Sequence, residues 1–250
     1  MRRLLIRPGA IGDVVVSLPA LEFLRADYTE VWTPSATVPL VRFADRVRAI
    51  SSTGLDLLEI GRAPDSLVST LAGFDDIVSW YGAASPEFKA SAKGLPFRFF
   101  PALPGEQTQI HVIDFYLAQV GAPPGAIPRI EGPSPERARL ALHPFSGSAK
   151  KNWPLECFQA LAAREPFEWC HDRFENLGAL ADWLAGARVF VGNDSGITHL
   201  AAAVGAPVVA LFGPTDPRVW APPGAKVIRG NPMTAITVDV VHRAVIDLLR

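Results

Sequence analysis

Residues 193–199, Asn-Asp-Ser-Gly-Ile-Thr-His, follow an apolar run and open a helical one. At such a junction the free N–H groups of the helix start face the end of a strand. They attract an anion by hydrogen bonding and by the helix dipole. Ser195 adds a hydroxyl donor, and His199 lies one turn further along the same helix face, placed to donate to a phosphate oxygen. Asp194 repels phosphate unless its carboxylate turns back to cap the helix, leaving its backbone N–H as its contribution. The plain alternative is ordinary capping chemistry with a packed histidine. The stretch 211–217, Leu-Phe-Gly-Pro-Thr-Asp-Pro, breaks from a second strand near the same edge and carries Thr215.

A second loop, 142–154, reads LHPFSGSAKKNWP. It offers Ser146, Ser148, Lys150 and Lys151 around Gly147, a set of hydroxyls and ammoniums suited to a diphosphate. The glycine spacing and the Lys-Ser/Thr ending of a nucleotide-triphosphate loop are missing. Alone, this loop reads as a solvated turn; two such loops after two strands of one half point to phosphate.

The third stretch is RPGAIGDVVVSLPAL, residues 7–21. Its Gly-x-x-Gly fails as a dinucleotide fingerprint, and it has no lysine. Asp13 is either a helix-start acid favoured by the dipole or a general base that tight glycines hold at the mouth of an N-terminal sheet.

The elements that must position these residues alternate between short apolar runs and helical segments, the pattern of an α/β chain. Strands are expected at 2–7 and 29–34, a strand or strand-like run at 55–60, and helices at 13–26, 38–47 and 108–121, with Pro19 kinking or restarting the first. Residues 65–82 hold a helix and a strand, and 82–106 read as loop. The Pro- and Gly-rich stretch 121–138 suits a stiff connector between domains, or else a long surface loop. The α/β pattern then restarts, with Pro154 in the first turn of a helix and an amphipathic helix at the end. Two Rossmann-like halves fit this pattern.

Length and composition agree with a globular chain: 250 residues, 49% apolar, 20% charged. A net charge of -1 gives no electrostatic case for nucleic acid. The N-terminus has only a three-residue apolar run before Arg7 and is not read as a signal peptide. Its most apolar stretch, 200–213, is split by Gly205 and Pro207 and is too short to span a bilayer. The expected setting is cytoplasmic, with room for peripheral contact at the inner face of a membrane. Cys157 and Cys170 form no disulfide framework and no zinc spacing. The Cys170-His171 neighbours read as chance, so no metal is expected.

The three stretches RPGAIGDVVVSLPAL, LHPFSGSAKKNWP and VGNDSGITHLAAAVGAPVVALFGPTDP together resemble glycosyltransferase family 9, the ADP-heptose:lipopolysaccharide heptosyltransferases. The resemblance implies a GT-B fold, two Rossmann-like domains facing each other across a cleft. Residues 1–130 would form the acceptor-side domain and 131–236 the nucleotide-sugar domain, with the helix at 237–250 packing back on the first. It implies an inverting, metal-independent transferase with no cofactor, a nucleotide-diphosphate sugar as donor and a glycan or glycolipid as acceptor. Asp13 matches the family's base and Lys151 the lysine before its Trp-Pro. Asp194, Ser195, Gly196 and His199 match the donor diphosphate loop; Ser146 and Ser148 align more loosely, and Lys150 and Thr215 join the donor set by position. The chain departs from the family between 162 and 184, where a fuller nucleotide-holding segment is usual. Glu168, Asp172 and Glu175 are the candidates there for the ribose. The competing readings are a shortened, non-catalytic homologue that binds a nucleotide sugar or a protein partner, and a Rossmann oxidoreductase, which the missing fingerprint disfavours.

Overall fold

The N-terminal sheet is built outward from β1 (Arg2–Ile6), whose Leu4, Leu5 and Ile6 are inaccessible to solvent. In the computed structural model, which describes every residue except Glu106, Ser134 and 171–173, β1 leads into α1 (Ile11–Phe23). There follow β2 (Tyr28–Thr33), β3 (Arg46–Ala49), α2 (Asp56–Glu59), α3 (Asp65–Ala72), β4 (Asp76–Ser79), α4 (Pro86–Ser91), β5 (Phe97–Phe99) and α5 (Val112–Gln119). The sheet is wholly parallel with strand order β3-β2-β1-β4-β5. Its direction of winding reverses between β1 and β4, so the loops after these two strands leave the same edge side by side. In an open α/β sheet that switch point is where ligands bind.

A second sheet carries β6 (Arg139–His143), α6 (Leu155–Ala162), β7 (Phe167–Trp169), α7 (Leu177–Ala185), β8 (Ala187–Asn193), α8 (Gly196–Ala203), β9 (Val208–Phe212), α9 (Pro217–Trp220), β10 (Lys226–Arg229) and α10 (Val238–Leu249). It too is all parallel, in the order β10-β9-β8-β6-β7. Counted from β6 this is 2-1-3-4-5, the flavodoxin-like arrangement, whereas the first sheet follows the Rossmann 3-2-1-4 order. The switch point of the second sheet falls between β6 and β8, the two strands that feed the loops at 144–152 and 194–196.

The chain divides into two compact units, Met1–Thr108 with Ile113–Ala126 and Gln109–Val112 with Ile127–Arg250. Each has its own core: Leu4, Ile6, Trp32 and Ile77 in the first, Leu142, Trp153, Val191 and Leu211 in the second. Among the described residues no helix is long and apolar enough to cross a membrane.

Several expected elements differ. Helix α1 runs unbroken through Pro19, with residues 14–21 all buried. Residues 38–47 form no α-helix; a 3₁₀ turn at Ser35–Leu40 precedes β3. The run at 55–60 is the short helix α2 rather than a strand, and 82–106 contains α4 and β5. Pro154 lies at the N-cap, one residue before α6. The buried face of α10, Val241, Ala244 and Val245, packs on α6, β8 and β9 of the second unit.

Candidate functional site

In the second unit, Asp194 follows the last residue of β8 and is only 6% exposed. A buried carboxylate needs compensating donors, and two reach the same oxygen. Lys151 Nζ lies 2.8 Å from Asp194 Oδ2, and Thr215 Oγ1 donates to it at 2.6 Å. The loops after β6, β8 and β9 thus converge on one atom. Asp194 therefore does not cap the helix as expected. Its backbone N–H is also committed, donating to the Leu211 carbonyl at 2.9 Å within the strand pairing. It acts by holding Lys151 and Thr215.

Ser195 takes the N-cap position, its Oγ accepting weakly from Thr198 N at 3.4 Å. Gly196 and Ile197 then open α8, where N–H groups have no intrahelical acceptor. His199, one turn on, is nearly buried. Gly213 lets the third loop come close: a Cβ there would meet Met233 Sδ at 2.6 Å and the Lys150 carbonyl at 3.6 Å.

The loop after β6 is ordered from within. Ser146 Oγ donates to Asn152 Oδ1 at 2.6 Å and lies 2.9 Å from the Ser148 carbonyl. That hydroxyl holds the turn and is less free for a phosphate than the sequence suggests. Lys150 is exposed, at the rim. The side chain that fixes this loop against β8 is Asn193, which the sequence reading quoted but did not single out. Fully buried, it donates from Nδ2 to the Pro144 carbonyl at 2.7 Å and accepts from Trp153 N at 2.9 Å. Trp153 in turn donates its indole N–H to the Ile236 carbonyl at 2.8 Å.

Of the ribose candidates, Glu168 sits on the edge strand β7 with Arg139 3.8 Å away, and Glu175 is exposed just before α7. Asp172 lies outside the described residues, as does His171.

In the first unit, Asp13 is the third residue of α1 and is partly exposed. Its Oδ2 accepts the Ala10 N–H at 2.8 Å, so the helix-start reading holds for one oxygen. Gly9 makes this fold-back possible: its φ is +119°, and a Cβ there would lie 2.7 Å from Asp13 Cβ. Beneath the loop lies Arg7, 1% exposed. It donates to the Asp13 carbonyl at 2.9 Å, the Pro8 carbonyl at 2.8 Å, Ser17 Oγ at 3.0 Å and Tyr116 Oη at 2.8 Å. Burial pulls the guanidinium below its ordinary pKa, while Tyr116 and Asp13 oppose that. Tyr116 is pushed up to about 12 by burial. Neither Arg7 nor Tyr116 was expected to matter; an arginine directly after three buried strand residues is the signal that could have found the first.

Known proteins share this architecture over its whole length. The structure of E. coli ADP-heptose LPS heptosyltransferase II superposes with a TM-score of 0.71 at 19% identity, covering 100% of this chain and 98% of that one. The E. coli heptosyltransferase WaaC with ADP gives 0.72 at 16% identity, over 99% and 100%. The fold is GT-B, the two-sheet α/β architecture of these transferases.

The sequence match is local and stronger. Residues 175–232 fit the family model described as "Glycosyltransferase family 9 (heptosyltransferase)". Lipooligosaccharide heptosyltransferase 2 of Haemophilus influenzae is 48% identical over 79 residues, 31% of this chain but only 22% of that protein's own length. Lipopolysaccharide heptosyltransferase 3 of E. coli K12 is 52% identical over 50 residues, 20% of this chain and 14% of that protein. Residues 175–232 thus match glycosyltransferase family 9, the family of the lipopolysaccharide heptosyltransferases, while the chain as a whole shares the fold of two of its members.

Proposed function

We propose that the chain transfers a heptose, with inversion, from ADP-heptose to a hydroxyl of a lipopolysaccharide core or related glycan. The observation that carries this is the convergence of Lys151, Asp194 and Thr215 beside the start of α8, at the switch point of the second sheet. It lies where the α8 end and a lysine can meet a diphosphate, and its β8–β9 part falls in the family match. In the reaction, the acceptor oxygen forms a bond to the anomeric carbon as the bond to the diphosphate oxygen breaks. The bonding pair leaves with ADP. Lys151, Ser195, His199 and the N–H groups of Gly196 and Ile197 stabilise the growing negative charge, the role a metal fills elsewhere. Asp13 takes the acceptor proton. A carboxylate is a weak base for an alcohol, but the hydroxyl acidifies as its bond forms in an oxocarbenium-like state.

Titration with ADP, UDP and GDP tests the donor. ADP is expected to bind; binding of none of the three would overturn the transferase reading in favour of a non-catalytic homologue. Asp13→Asn is expected to keep ADP affinity and abolish transfer. Lys151→Met is expected to weaken ADP by about 10- to 100-fold, the worth of one charge-assisted hydrogen bond. Unchanged transfer by Asp13→Asn would remove Asp13 as base.

A further inference from the structure

Lys151 stands on a loop whose two ends hang from one side chain. The loop leaves β6 at Pro144 and runs to Trp153, just before α6. Asn193, the last residue of β8 and fully buried, donates from Nδ2 to the Pro144 carbonyl at 2.7 Å and accepts from Trp153 N at Oδ1 at 2.9 Å. The orientation of this amide is forced, because a peptide carbonyl only accepts and a peptide N–H only donates. An aspartate in its place would offer no donor, and a leucine neither donor nor acceptor. Between the two anchors the chain is held from within. A 3₁₀ turn at Ala149–Lys151 brings Lys151 N to the Ser148 carbonyl at 3.0 Å and Asn152 N to the Ala149 carbonyl at 3.1 Å. Asn193 is itself fixed from the far side: Thr198 Oγ1 donates to its carbonyl, and Gly192 leaves room for that contact, since a Cβ there would lie 2.7 Å from the same hydroxyl oxygen.

Asn193 and Asp194 are neighbours in the chain and hold the same lysine at two places. Asn193 fixes the backbone that carries Lys151, and Asp194 Oδ2 takes its ammonium at 2.8 Å. The Lys151 side chain is still 31% exposed, so the ammonium keeps an open side. A lysine is a point charge on a flexible stem, and nothing in its own geometry aims it. A loop that is ordered before its ligand arrives loses no further freedom on binding. We propose that Asn193 is a positioning residue for the donor: by clamping both ends of the 144–153 loop it sets Lys151 in register for the diphosphate before the nucleotide arrives. The inference rests on the transferase reading and adds to it a residue that acts only through another. A merely structural Asn193 would stabilise the fold and leave the contribution of Lys151 to binding untouched.

The test is a double-mutant cycle on the intact chain, with ADP titrated calorimetrically into the parent, Asn193→Ala, Lys151→Met and the double variant. Alanine adds no charge, so repulsion of the diphosphate does not enter. Asn193→Ala is expected to weaken ADP about tenfold when Lys151 is present and by less than about threefold when it is already Met. Val209→Ala, a core truncation in β9, controls for lost stability and is expected to keep the parent affinity. Full ADP affinity in Asn193→Ala, losses that combine independently in the double variant, or an equal loss in Val209→Ala would each overturn the proposal. Hydrogen exchange in the parent needs no variant and decides the matter if Asn193→Ala does not fold. The Trp153 N–H is expected to be protected at least about a hundredfold without ADP; an N–H that exchanges freely until ADP is added would overturn the proposal. ADP binding by the parent with a failed cycle sinks this inference alone, whereas a parent that binds no ADP sinks the transferase reading with it.

Discussion

Asp13 depends on its neighbours more than on its own position. Gly9→Ala forces a side chain into a left-handed backbone and against the Asp13 carboxylate. We expect a loss of about 1–3 kcal/mol in stability, and a fall in transfer with ADP affinity unchanged, read by urea unfolding and by turnover on the same preparation. Arg7→Met leaves two carbonyls and two hydroxyls without their buried donor. The expected cost is roughly 2–4 kcal/mol, seen as a lowered urea midpoint. Tyr116 adds a pH signature. Its folded pKa of about 12 stands above the ordinary 10, so the folded state holds the phenolic proton more tightly than the unfolded chain does. The stabilisation is complete below pH 10 and is lost as pH rises from about 10 to 12, on the order of 2–3 kcal/mol. Urea unfolding across that range is expected to show the decline in the parent protein and not in Tyr116→Phe.

At the scale of elements, Asn193 joins β8 to the loop after β6 through two hydrogen bonds in a dry interior. Asn193→Ala leaves the Trp153 N–H and the Pro144 carbonyl unsatisfied, at a cost of about 2–4 kcal/mol. Hydrogen exchange is expected to quicken at Trp153 more than at the centre of β9. This element logic also explains which parts of the fold were legible. Central strands such as β1, β8 and β9 are apolar runs, because a parallel strand with neighbours on both sides is covered on both faces. Strands β3, β5 and β10 each lie at the edge of a sheet. They read RVRA, FRF and KVIR, too short and too charged to stand out. Helix α2 hid for a related reason, since a four-residue helix is shorter than the period needed to reveal it. In the site, Lys151 and Asp194 were readable by type and spacing. Their direct ion pair was not, because forty-odd residues separate them and only the sheet order brings them together.

At the scale of the whole molecule, two sheets with separate cores predict separable stabilities. A nucleotide bound only to the second unit raises that unit's unfolding free energy by about 2.7 kcal/mol at a hundredfold excess over Kd. Scanning calorimetry with and without ADP is expected to shift one component of the transition and leave another in place; a uniform shift would show that the units unfold as one. The two sheets also reverse at different points in their strand count, after one and four in the first, after one and three in the second. Copying either half intact cannot generate the other, because the extra strand stands on opposite sides of the reversal. Their common ancestry, if they have one, includes the gain, loss or migration of a strand. Equivalent loops in the two halves must therefore be paired by their distance from the reversal and not by their number along the chain, and chimeras cut by simple alignment of the halves would join loops that serve different ends.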